Sequence, residues 1–261
     1  MLEAATPKPI SHGLPGLSSP PDDLADLSSD EGWRTVRDDE LRLQHRHLPE
    51  RGAHAFRATC ELDAPVEHLV AMAREIDLYP TWNKYVTTAN ILQRRNETDV
   101  TFYMTVWVPW PISQVGLCSD AVGTDVLAEE GRFVIMLCSP KKGAIELPEA
   151  AKGHRKIRLQ RPTCMVFTPL PPSTPGGKPR TLAQVMVVLD PGIRHLPCFI
   201  MTFVLKILCP FIYNAVKKVL ASAFRTPDSP LPQRIGQRAE LYEIVRQRAQ
   251  EALAAMMHRN G

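Results

Sequence analysis

Eight histidines, two neighbouring aspartates and two arginines are the residues of this 261-residue chain whose types could do chemistry. His45 and His47 stand two apart in "LRLQHRHL", an alternating stretch, so they share one face of a strand. Two ligands without a near third make an incomplete metal site, and surface strand histidines are the simpler reading. His12, His54, His68, His154, His195 and His258 are scattered. Asp120 and Asp125 fall in an apolar strand region. A buried carboxylate there could act as acid or base, because burial raises its pKa; a turn or a paired structural carboxylate is the simpler alternative. Arg158 and Arg161 could contact a ligand head or lipid phosphate, or lie on a solvated strand face. H-E-x-x-H, G-x-S-x-G and a phosphate loop are all missing. No metal, cofactor or catalytic residue is therefore expected.

The bulk numbers narrow the class. Hydrophobic residues make up 44% and charged residues 23%, with a net charge of +3. That is ordinary for a globular protein. It gives no basic stripe with interleaved aromatics for nucleic acid, so none is expected as a partner. The six cysteines, Cys60, Cys118, Cys138, Cys164, Cys198 and Cys209, sit in apolar runs without a C-x-x-C pair. They read as reduced core residues of an intracellular protein. The N-terminus has no continuous apolar run, so no secretory signal is expected.

The elements that must position these residues follow from periodicity. Residues 1–28 are rich in Pro, Ser and Gly and are expected to be disordered. Strands are expected over Leu41–Leu48 and His54–Leu62, joined by the turn residues "PERG". Val66, Leu69, Val70, Ala73 and Ile76 recur at helical spacing, and Pro80 is expected to end that helix. A run of strands follows, including Asp99–Val108, where Val100, Phe102, Met104, Val106 and Val108 share a face. Leu231–Arg259 reads as a last amphipathic helix, either packed back on the domain or offered to a partner or membrane. The order implies an α+β domain with helices on one curved antiparallel sheet.

The most apolar stretch, "LPCFIMTFVLKILCPFIYNAVKKVL" (Leu196–Leu220), has the length of a membrane span. Lys206 at its centre and a polar stripe of Thr202, Lys206, Tyr213 and Lys217 fit a half-buried helix better. Pro210 removes one backbone bond and should bend it.

"DAPVEHLVAMAREIDLYPTWNKYV", "VPWPISQVGLCSDAVGTDVLAEEGRFVIMLCS" and "VVLDPGIRHLPCFIMTFVLKIL" together resemble the START lipid-transfer domains of the Bet v 1-like, helix-grip superfamily. The resemblance runs from about Trp33 to Arg225, and Asp190-Pro191-Gly192 with Leu196-Pro197 is its most specific piece. Where many such domains carry an Arg-Asp or Arg-Glu pair, this chain reads Ser113-Gln114-Val115. The resemblance implies a lipid-binding domain over residues 29–226, with 227–261 as an added C-terminal helix. It implies a curved sheet wrapped round a long C-terminal helix, with one hydrophobic molecule, a lipid, sterol or phospholipid, held between them. The last helix and a loop at about Val108–Val115, with Trp110 and Pro111, would form the lid. Candidate lining residues are Phe102, Met104, Val106, Met136, Cys138, Cys164, Val166, Val185, Val187, Phe203, Ile207 and Phe211; each could equally be plain core. The expected role is binding and transfer between membranes by a cytoplasmic protein that touches membranes transiently. The alternative is a cyclase- or hydrolase-type enzyme using a cavity carboxylate. The sequence leaves the oligomeric state open.

Overall fold

Strand alternation and turn chemistry together lay out most of the sheet. The computed structural model describes residues 32–110, 114–174, 176–193, 196 and 198–259; the segment 1–28 and Pro111 lie outside these. Strands β1 (Arg34–Asp38), β2 (Leu41–Leu48) and β3 (Ala53–Leu62) form consecutive hairpins. The β2–β3 turn is a 3-10 turn over Pro49–Arg51 that ends at Gly52, whose φ of 59° is left-handed. Helix α1 (Val66–Arg74) follows, with Pro65 as its N-cap. It stops at Glu75, earlier than the expected stop at Pro80, which instead opens the short helix α2 (Tyr79–Trp82).

Six strands complete the sheet: β4 (Val86–Arg94), β5 (Asp99–Trp107), β6 (Gln114–Val126), β7 (Arg132–Cys138), β8 (Arg155–Leu170) and β9 (Arg180–Asp190). A single turn, α3 (Leu127–Glu130), links β6 to β7. The spatial order is β1-β2-β3-β9-β8-β7-β6-β5-β4, so β9 joins the N-terminal hairpins to the central meander. All neighbours are antiparallel, apart from a short parallel contact of β6 with β8.

The apolar stretch forms α4 (Cys198–Phe203), a π turn (Val204–Leu208) and α5 (Cys209–Ser222). Pro210 supplies the cause. It has no N–H to give, and the Cys209 N–H reaches back five residues to the Val204 carbonyl. The C-terminal segment is two helices, α6 (Pro230–Gln237) and α7 (Ala239–Arg259). Both pack back on the domain: Leu231 meets Met72 and Val219, and Tyr242, Val245 and Ala249 join the main core.

That packing is pinned by one carboxylate. Glu75 is only 1% exposed. It accepts bonds from Arg74, from Arg234 at 2.7 Å and from the Tyr242 hydroxyl at 2.7 Å. Arg234 also bridges to Asp77 at 2.7 Å. A buried charge is tolerable when it is met this fully.

The sheet has an apolar cluster on each face. The inner one joins Leu62, Val100, Phe102, Met104, Leu117, Phe133 and Ile135 to α1, α5 and α7. The outer one holds Ala53, Ala55, Val134, Cys164, Val166, Met186 and Val188.

Candidate functional site

The inner face of the sheet and the helix lying across it form the candidate site. Phe102 and Met104 belong to the inner cluster, and Val106 and Val187 pack against it. Val185 pairs with Ala58 and Met165 and shares their face. Four other expected lining residues are placed differently. Cys164, Val166 and Met136 belong to the outer cluster, and Cys138 follows Met136 by strand alternation. They cannot line a space between sheet and helix. The expectation fails there because β7 and β8 are apolar on both faces, so alternation does not say which face is inner.

Several inner-face side chains are covered by the helix and yet keep open surface. Ala58, Cys60, Met165 and Val187 on the strands are only partly buried, as are Val216 and Leu220 on the helix. Cys60 is the clearest. Burial pushes its thiol up to about 11, so protein surrounds most of it, while part of its surface stays open. Cys60 lines an open cleft beside α5. Cys209, on the helix, is also partly open, and burial pushes its thiol up to about 12.

The front of the helix is held by aromatic rings. Phe203 is buried with Tyr85, Val108 and Val115. It meets Tyr85 and Trp107 edge-on, at 5.4 and 6.1 Å between centroids. Phe211 meets Tyr85 edge-on at 4.9 Å, with Lys84 Nζ 4.8 Å from its ring. Ile207, the third expected helix residue, points outward and is 49% exposed. Phe199 is 46% exposed, and Trp110 on the adjoining loop is 82% exposed. Phe199–Arg225 is long and apolar enough to cross a membrane by length and composition, at mean hydropathy 1.8. Here it lies across the sheet.

The back of the helix is held by charge. Glu40 Oε2 accepts from the Tyr213 hydroxyl at 3.1 Å and from Lys217 Nζ at 2.6 Å. This tie joins α5 to the β1–β2 turn. Sequence reading missed Tyr85, Cys60, Tyr213 and Glu40 as site residues. The alternation of Cys60 with Ala58 and Leu62 on β3 was the available signal.

Most of the candidate chemical groups are engaged by neighbouring side chains or backbone. Asp120 lies on the outer face, bonded by Thr101 at 2.5 Å and Arg95 at 3.2 Å. Asp125 accepts from the Leu127 N–H at 3.0 Å and from Arg248 of α7 at 2.6 Å. Arg158 is exposed and donates to the Pro140 carbonyl at 2.7 Å; Arg161 is exposed. His45 Nε2 lies 3.1 Å from His54 Nδ1, and the His47 ring stacks on His54 at 4.7 Å. Desolvation, then the neighbouring imidazoles, push His45 down to about 4. Among the described residues, no three His, Cys, Asp or Glu side chains are grouped to hold a metal. Also on the outer face, the Tyr103 hydroxyl and His154 Nδ1 are 2.9 Å apart. Gly116 is required beneath that ring, because a Cβ would lie 2.0 Å from the hydroxyl.

By sequence, the chain matches no family model and no curated protein. Solved structures do match it. Human StAR-related lipid transfer protein 5 superposes with a TM-score of 0.65 at 15% identity, over 78% of this chain and 93% of that one. Human STARD10 gives 0.64 at 16% identity, over 81% and 82%. A STAR-related lipid transfer protein fragment from Xanthomonas axonopodis gives 0.52 at 16% identity, over 74% and 100%. At such identities the likeness speaks for architecture alone: a large antiparallel sheet gripping a C-terminal helix, the α+β helix-grip fold of the StAR-related lipid transfer domains.

Proposed function

We propose that this protein binds one lipid-class molecule between the inner face of its sheet and the helix α4–α5, and transfers it between membranes. The observation that carries the reading is the open surface kept by Cys60, Met165 and Val187 on the sheet and by Val216 on the helix that packs against it. Plain core would close over them. The described neighbours whose names include lipid transfer support the same class of ligand.

No bond is made or broken in this mechanism. Each methylene moved out of water contributes about 0.8 kcal/mol, so a free lipid crossing water faces a large barrier. A carrier lowers it by opening only against a membrane. The exposed Trp110, Phe199 and Ile207 surround the front of the helix, and an apolar patch of this kind suits a bilayer surface. Docking there would exchange the ring contacts of Phe203 for lipid contacts and release the front half of the helix at the π turn. The partnered state of Asp120 and Asp125 favours a carrier over a cyclase or hydrolase.

The test is native mass spectrometry of the purified full chain, followed by a lipid-transfer assay between liposomes. One bound lipid per chain and accelerated transfer are expected. Absence of both sinks the reading. A Trp110→Glu variant should keep its lipid and lose transfer.

A further inference from the structure

The lipid site proposed above meets a second feature at the back of the helix. A cleft of about 840 Å³ lies between α5, the β1–β2 turn and the β8–β9 loop. Its apolar floor includes Cys60, Leu62 and Leu220, which also belong to the inner-face cluster or pack on it. The cleft therefore reaches the inner-face cluster, and a molecule seated in it can extend along that face. Its size is that of a small-molecule site.

The rim is charged, and most of its charges are already answered. Asp39 is bonded by Arg37 at 2.8 Å and Glu40 by Lys217 at 2.6 Å. Arg180 pairs with Glu61, and Arg42 lies 3.9 Å from Asp38. Two cations remain, Lys178 and Arg225, which form no ion pair among the described residues. One carboxylate, Asp63, is left in the same position. Cations without an ion pair thus outnumber such carboxylates by one, above an apolar floor. An apolar molecule has no use for this excess, whereas an anionic head does.

We propose that this cleft seats the anionic head, a carboxylate or phosphate, of a single-chain amphiphile whose chain runs over Cys60 and Leu220 along the inner face of the sheet. Lys178 and Arg225 bind the head, and Asp63 weakens it. The proposal rests on reading the inner face as a lipid site. It adds a head-group chemistry and a polarity, with head at the back and chain toward the front.

The test uses the full chain with cis-parinaric acid and its uncharged methyl ester as fluorescent probes. The double variant Lys178→Gln/Arg225→Gln should weaken the acid roughly tenfold and leave the ester unchanged. Asp63→Asn should tighten the acid about two- to threefold, since like charge is removed. Displacement of the bound acid by lysophosphatidic acid, in the wild type but not the double variant, assigns the site to phosphate heads as well; displacement by fatty acids alone restricts it to carboxylates. The proposal falls, with the lipid reading intact, if acid and ester weaken together or if neither changes. Failure of the wild type to bind either probe removes both.

Discussion

The two halves of the helix across the sheet share an apolar composition and differ in what holds them. The front half, 198–208, is secured by Phe203 against the rings of Tyr85 and Trp107. It leaves Phe199 and Ile207 largely open to solvent. The back half, 209–222, shares one ring contact, Phe211 on Tyr85 at 4.9 Å, but also buries Tyr213 and Val219 and is tied to Glu40 through Tyr213 and Lys217. It leads into α6, which is bonded to Glu75 and Asp77. Ring contacts are short-range and undirected by charge, so another apolar surface can replace them. A charge-assisted network cannot be exchanged for lipid in this way. Composition alone would have treated the two halves alike; their partners suit one to release in the proposed transfer and the other to anchoring.

The comparison can be broken first at the anchor. Glu75→Ala would leave Arg74 and Arg234 without their buried partner and the Tyr242 hydroxyl without its acceptor. A loss of about 3–5 kcal/mol in urea unfolding is expected; a loss below about 1 kcal/mol would show that α6 and α7 are not held this way. Phe203→Ala should cost about 3 kcal/mol, from the cavity left among Tyr85, Val108 and Val115. Hydrogen exchange should then rise in 198–208 and stay unchanged in 209–222. Acid should act on the opposite half. The Lys217 bond, then Tyr213, hold the Glu40 carboxyl below its ordinary 4.5. The tie is therefore complete above pH 4.5 and is lost as pH falls through the lower folded value. Exchange in 209–222 should increase over that window, and Glu40→Gln should remove the pH dependence. The smallest stability effect belongs to Ile207→Ser, within about 0.5 kcal/mol. Vesicle cosedimentation should nevertheless fall, and an unchanged pellet fraction would take this surface out of the docking patch.

How much of this was legible depended on whether a residue has one apolar side or two. β2 was read with its observed bounds, and the face shared by Phe102, Met104 and Val106 on β5 was assigned as found, because a polar residue separates each apolar one. β4 went unread. Register shifts between Val86 and Thr88 and between Ile91 and Gln93 break its alternation. On β7, Phe133, Ile135 and Leu137 face inward while Val134 and Met136 face outward. Nothing in "RFVIMLC" distinguishes the two sets, so Met136 and Cys138 were assigned to the wrong side. The third histidine of the ring stack, His54, and the Glu40 tie depend on cross-strand or long-range pairing, which no local pattern encodes.

The π turn has a thermodynamic consequence for the front of the helix. Ahead of it, α4 is six residues long. Isolated helices shorter than about 12–15 residues are marginal in water. Once Phe203 leaves its rings, α4 lacks the length to persist as a rod. For the carrier proposed here, opening would then be a local melting that gains chain entropy, and closing a refolding step that a bound lipid would help to drive.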